Sequence, residues 1–265
     1  RIDFDARVIN RSHDHRLRAA LRVAVDATEA VQDTAFGVLR RPLERGEPRG
    51  TEDIYPTAPH RTWTGVESDA LSAAIIARGL YEAEVRPESQ GSSILLTLLR
   101  CVGWLSRSDL ATRRGGAGPE METPGAQEIG EHRFDFALTA WAGSYLDADV
   151  VQTAAAYSCP PRLFAEHGQA AAWLLGCNNP RVVFSTARPS ERGRAVRMRA
   201  YSASPNPETA RFTFPARARV RIVDLAGRRI TAGTAARRMR DGSIELEMRP
   251  FQVVTFEVTP RAAGG

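Results

Sequence analysis

The strongest constraint on the fold is alternation: apolar and charged residues trade places at every second position in segment after segment. In "RLRAALRVAV", Leu17, Ala19, Leu21, Val23 and Val25 share one face, with Arg16, Arg18 and Arg22 on the other. "RFDFAL" puts Phe134, Phe136 and Leu138 on one side, and "RAVRMRAY" sets Val196, Met198 and Ala200 against Arg197 and Arg199. "ARARVRIVDL" sets Val220 and Ile222 against Arg217, Arg219 and Arg221, and "SIELEM" sets Ile244, Leu246 and Met248 against Glu245 and Glu247. Side chains of a strand point alternately to its two faces, so these rows predict arginines in solvent on half-buried antiparallel strands. Strands at this spacing, broken by Pro and Gly turns, predict a mainly β fold built from antiparallel sandwiches.

The 265 residues suffice for one large domain or two ordinary ones. The opening "RIDFDARVIN" reads as a strand, and the polar "NRSHDH" as a turn joining it to the next. "DADVVQTAAAY", Asp147 to Tyr157, predicts a short helix, with a further turn or two between Phe164 and Gly176. The character of the chain changes there, which predicts a large sandwich over residues 1–165 and a smaller one over 166–265.

The net charge of +5 raises the question of nucleic acid, but all 36 basic residues are Arg and they are spread along the chain. That pattern reads as a coding bias, with no nucleic-acid partner expected. No apolar window approaches the ~18–20 residues of a membrane span, so no membrane partner is expected either. Cys101, Cys159 and Cys177 are too far apart for a zinc motif and are expected to be buried small apolar residues. A cytoplasmic location is the expectation.

One junction stands out. The apolar run of Ile94, Leu95, Leu98, Leu99 and Val102, with Thr97 and Trp104, predicts a strand buried on both faces. It passes directly into "RSDLATRRGGAGP", an arginine- and glycine-rich loop from Arg107 to Pro119. Conventional catalytic chemistry is missing around it. His13-Asp14-His15 has metal-like spacing but falls in the predicted turn, and the acids Glu128, Glu131 and Asp135 around His132 suit surface charge pairing. There is no G-x-S-x-G elbow, P-loop or dinucleotide fingerprint.

Together these segments resemble the C-terminal β-domain of the glycoside hydrolase family 38 α-mannosidases. The resemblance is most specific from Leu96 to Leu138: an apolar strand, a Trp-Leu-Ser-Arg corner, an Arg-Gly loop, Ala-Gly-Pro, Thr-Pro-x-Ala-Gln, and Gly-x-His before a strand. Upstream, "HRLRAAL", "DTAFGVLRRP", "DIYPTAPHRTW" and "ARGLYEAEV" fall in the order of bacterial members. Downstream, "RVVFSTARP" and "RMRAYSAS" look like a degraded closing sandwich, with Arg188 and Tyr201-Ser202 where the family tends to have Lys and Tyr-Asn.

The resemblance implies a galactose-mutarotase-like supersandwich, whole or truncated, followed by the smaller sandwich. It implies that this chain is a C-terminal portion with no catalytic residue and no metal ligand of its own. The zinc, the nucleophile and the acid/base of a retaining mannosidase would lie in an N-terminal barrel outside it. Its partners would be that catalytic domain, a mannoside reached through the parent enzyme, and further copies of itself through exposed apolar surface. The loop residues matching the family's sugar-site rim are Arg113, Arg114 and Gly115, with Tyr55 as a second substrate-binding candidate. The alternative reading is an autonomous carbohydrate-binding β-sandwich.

Overall fold

A computed structural model of the chain describes residues 1–44, 46–48, 50, 52–160, 175–191, 193, 195–215, 218–230 and 236–259. It divides into two compact units, Arg1–Thr34 with Leu39–Val150, and Ala35–Val38 with Val151–Gly265. Residue 165, where the sequence suggested a boundary, lies outside the described residues, as does nearly all of the second helical stretch, residues 161–174.

The first unit runs β1 (Ile2–Asn10), β2 (Arg16–Val23), β3 (Glu29–Thr34), β4 (Gly37–Pro42, counted in this unit from Leu39), β5 (Thr57–Pro59), β6 (Trp63–Val66), β7 (Ser72–Ala77), β8 (Glu82–Pro87), β9 (Ser92–Arg100) and β10 (Gly130–Trp141). These strands form a six-stranded sheet, β1-β10-β7-β6-β3-β4, and a four-stranded sheet, β2-β9-β8-β5. Val66, Ile75 and Ala77 of the first meet Val85, Ile94 and Leu96 of the second in one core. Each large aliphatic side chain buried there contributes roughly 1.5–3 kcal/mol.

The strand β9 is buried along nearly its whole length, as its apolar run predicts. Its outer face is covered partly from within the sheet. Arg18 pairs with Glu84, Arg16 lies 3.6 Å from Glu82, and Thr97 Oγ1 donates to Glu82 at 2.7 Å, so charged stems lie over Leu95. The turn into β9 requires Gly91: its φ is +81°, and a Cβ there would fall 2.1 Å from the Val23 carbonyl oxygen.

Two expectations change in this unit. The segment "NRSHDH" links β1 to β2, but those strands belong to different sheets, so it is a corner between layers and not a hairpin. A period-two pattern specifies which face a strand buries and leaves open which strand it pairs with. Trp104 lies beyond the end of β9 and is 40% exposed, because the strand stops at Arg100.

The second unit has a helix α1 (Val150–Ser158), then β11 (Gly176–Cys177), β12 (Val182–Pro189), β13 (Val196–Ser202), β14 (Glu208–Thr213), β15 (Arg219–Val223), β16 (Ala236–Arg238), β17 (Ile244–Met248) and β18 (Val253–Thr259). Its two four-stranded sheets, β11-β14-β17-β16 and β12-β13-β18-β15, enclose a core centred on Phe212 and Phe256, whose rings are 4.8 Å apart. All the strand pairs resolved by register are antiparallel. The alternation of β15 and β17 is as predicted, but Arg197 in β13 is only 9% exposed. Its guanidinium lies 3.8 Å from Glu257, its cross-strand partner, and 3.6 Å from Glu191, so charge pairing holds it in. Of the cysteines, Cys101 is buried, Cys177 half-buried and Cys159 exposed, and all three are free thiols.

Candidate functional site

The segment between β9 and β10 is an irregular two-stranded arm. Leu105 N–H donates to the Met121 carbonyl at 2.9 Å and Thr123 N–H to the Gly103 carbonyl at 2.8 Å, while Trp104 bridges Glu122. The arm is rooted in a polar clamp. Gln127 Oε1 accepts from Asp14 N–H at 2.8 Å, and Gln127 Nε2 donates to Asp14 Oδ1 at 3.0 Å. Gly103 N–H donates to the same Asp14 oxygen at 2.9 Å. Buried Asn10 holds the far side, its Nδ2 donating to the Gln127 and Glu128 carbonyls, each at 2.9 Å.

Asp14, considered from sequence as part of a metal-like trio, is therefore a structural acceptor. The Gln127 amide above all, helped by the Gly103 N–H and the nearby His13 and Arg107 charges, holds its carboxyl below the ordinary value against the opposing effect of burial. Among the described residues no group of three His, Cys, Asp or Glu side chains could hold a metal. The zinc implied by the family resemblance thus finds no ligand set among them. His132 and its neighbouring acids do not converge either: His132 Nε2 contacts the Glu128 carbonyl at 2.7 Å, Arg133 pairs with Asp5, and Asp135 lies 3.6 Å from Arg78.

The four candidate binding residues come from two segments that the fold ties together. Asp53 N–H donates to the Thr112 carbonyl at 3.0 Å, and Glu52 bridges Arg113. Arg113 Nη1 lies 2.8 Å from Glu52 Oε1, so that guanidinium is engaged within the chain. Arg114 is exposed and makes no ion pair or hydrogen bond among the described residues. Gly115 has φ +84° and nothing within 4 Å of where a Cβ would stand, so its backbone faces open space. Tyr55 is 52% exposed, and the Arg16 guanidinium sits 5.5 Å from its ring centroid. The usual fate of a Tyr beside a Pro is burial; here the ring is half in solvent.

Sequence reasoning missed the apolar side chains of the arm. Trp104, Leu105, Leu110 and Met121 are 40–57% exposed, and Ile54 beside Tyr55 is 43% exposed. Their signal was present in "GWLSRSDL", where polar residues leave the strand period without a partner pattern.

The architecture is that of a β-sandwich domain carrying a projecting arm. Residues 1–106 match the family model described as "Glycosyl hydrolases family 38 C-terminal domain", which bears out the resemblance over that part of the chain; the match ends inside the arm, before most of the Leu96–Leu138 stretch. The human protein "Alpha-mannosidase 2C1" is 27% identical over 258 residues, covering 92% of this chain and 22% of its own length. A "Putative mannosylglycerate hydrolase" of Halalkalibacterium halodurans is 27% identical over 159 residues, covering 60% of this chain and 16% of its own. The chain thus spans about a fifth of the length of these curated relatives. The solved alpha-mannosidase from Enterococcus faecalis V583 superposes with a TM-score of 0.74 at 20% identity, over 96% of this chain and 27% of that one. A second family 38 structure from the same species gives 0.73 at 19% identity, over 96% and 28%. At that identity the likeness establishes the fold.

Proposed function

We propose that this chain is the non-catalytic C-terminal portion of a retaining α-mannosidase-like glycoside hydrolase. It buttresses a zinc-bearing catalytic barrel elsewhere in the parent protein and lends the arm between β9 and β10 to the rim of the sugar site. The observation that carries the reading is the arm itself: a clamped root, and a tip on which Arg114 and Gly115 are left open. An arginine offers a planar fork of donors, and a glycine lets a ligand approach the backbone closely. Neither group moves a proton at neutral pH, so the role is positioning sugar hydroxyls. The smaller sandwich and the apolar side chains of the arm supply surface for the catalytic domain.

The test has two parts. The purified 265-residue chain, incubated with an aryl α-mannoside and zinc, is expected to give no turnover, and turnover by the pure chain overturns the reading. In the parent enzyme Arg114→Ala is expected to raise KM several-fold with kcat little changed; an unchanged KM removes the rim role.

The half-exposed Tyr55 ring favours a second reading, an autonomous carbohydrate-binding sandwich. Calorimetric titration with mannose oligosaccharides separates the two. Binding by the chain alone tighter than about millimolar, ~4 kcal/mol, supports the second reading.

A further inference from the structure

We infer that the free edge of β1 pairs with β1 of a second copy of this chain, antiparallel and in a register centred on Asp5. The two six-stranded sheets then run on as one. This inference does not rest on the mannosidase-like reading.

The outer strands of the four sheets are β1, β4, β2, β5, β11, β16, β12 and β15. An open edge offers unpaired N–H and C=O groups to any other strand, and proteins blunt such edges with short strands, Pro, bulges or cover. Seven of the eight are blunted in one of these ways. β5, β11 and β16 are two or three residues long. β4 and β12 end in Pro42 and Pro189, and pairing shifts register in β2 between Leu17 and Arg18 and in β12 between Phe184 and Thr186. β15 has five residues, and the returning chain lies along part of it, Arg229 bridging Val223. β1 has none of these devices. It is nine residues long, lacks Pro and Gly, and pairs with β10 without a break from Ile2 to Asn10. No described residue outside β10 makes a backbone hydrogen bond to it.

The charges on β1 point to the occupant. Asp3, Asp5 and Arg7 share one face, where Asp5 stands opposite Asp135 and Arg7 opposite Arg133. Like charges directly opposite are unfavourable, and diagonal pairs relieve most of this. Arg133 Nε donates to Asp5 at 2.9 Å, and Arg78 lies 3.6 Å from Asp135. Arg7 is left with no carboxylate among the described residues, and Asp3 meets only Arg1 of its own strand.

A second β1 turned about Asp5 sets Asp3 opposite Arg7 twice, Ile2 opposite Val8 and Phe4 opposite Ala6. The two central Asp5 carboxylates are each already held by an Arg133. Centring on Phe4 instead sets Asp3 against Asp5, and centring on Ala6 sets Asp3 against Ile9. On the other face Ile2 and Phe4 are 60% and 42% exposed, and Phe4 stacks on Phe136 at 5.0 Å, which fixes it for the contact. The edge thus matches itself in main-chain bonding, in charge and in apolar contact, as a two-fold interface requires.

The experiment is sedimentation equilibrium on the full 265-residue chain carrying W104S, L105S and M121S, so that association through the arm does not enter. This chain is expected to dimerise with a Kd on the order of 100 micromolar, weak because a single strand edge is a small interface. Amide exchange over residues 2–10, read by mass spectrometry, is expected to slow as concentration rises through that value. D3R sets two arginines opposite each other and R7D two aspartates, and each contact occurs twice across the axis. Each variant is therefore expected to weaken the dimer at least about ten-fold. D3R/R7D, which exchanges the two charges, is expected to restore it, and circular dichroism is expected to be the same throughout. A chain that stays monomeric, a dimer that leaves exchange over residues 2–10 unchanged, or no rescue by D3R/R7D would each overturn the proposal. So would a loss from R7D with none from D3R, which marks the register centred on Ala6.

Discussion

Arg113 and Glu52 form an ion pair at 2.8 Å that ties the arm between β9 and β10 to the segment carrying Tyr55. Of two adjacent arginines, one is thereby committed to the chain and the other, Arg114, is left to face outward. The pair is a fastener, partly exposed on the Glu52 side, and fasteners of this kind contribute about 0.2–1 kcal/mol. Glu52→Gln is therefore expected to change global stability by less than about 1 kcal/mol. It should instead speed amide hydrogen exchange over residues 107–119, read by mass spectrometry, and unchanged exchange there would show that the tie does not order the arm.

Gly115 and Gly91 both hold positive φ, but only one is enclosed. Gly115→Ala is expected to cost about 1 kcal/mol, from backbone strain alone. Gly91→Ala places its Cβ against a backbone oxygen and is expected to cost at least about 2 kcal/mol. Denaturant midpoints of the two variants check the order.

The Asp14 carboxyl is held below its ordinary value of 3.8, so its sign is that of a group stabilising the charged form. Its contribution is complete above the unfolded value and is lost as pH falls through the folded one, from about pH 4 downward. The difference in melting temperature between the unaltered chain and Asp14→Asn is expected to be constant above about pH 5 and to shrink below pH 4. A difference that persists unchanged to pH 2 contradicts the clamp.

The exposed Trp104, Leu105 and Met121 form apolar surface on an otherwise polar arm. Such surface favours association. The isolated chain is expected to sediment in part as a dimer or larger species at high concentration, and the triple change to Ser is expected to shift it toward monomer. A single monomeric boundary for the unaltered chain counts against that expectation.

Phe212 is fully buried, with its ring 4.8 Å from Phe256 and 6.1 Å from Phe184. Phe212→Ala is expected to destabilise the second unit by about 3–5 kcal/mol, measured by denaturant unfolding.

Much of this was legible in the residues because alternation is a local signal. The faces of β2, β15 and β17 follow from period two, and the buried β9 from its apolar run, whereas in β10 the fully buried residue is Ala137, on the face opposite Phe134, Phe136 and Leu138. What sequence could not reveal depends on distant partners. Arg197 obeys the outward pattern yet is buried, because Glu257 and Glu191 meet it there. Trp104 looks like core until the strand is seen to end at Arg100. The sequence placed His13-Asp14-His15 in a turn, but that this turn joins two sheets depends on where β9 and β10 fall. At the candidate site, Arg113, Arg114 and Gly115 were singled out together. The division of labour between the two arginines became visible only with Glu52, a residue that carries no motif.

The root of the arm draws on Asn10, Asp14 and Gln127, from the opening strand, the corner that follows it and the last turn before β10. Contacts that span so much of the unit form after local ones during folding. The arm is therefore aimed only once the sandwich around it has closed. A chain that stalls earlier presents no directed tip at all, so whatever the tip meets is in effect offered a finished domain or nothing.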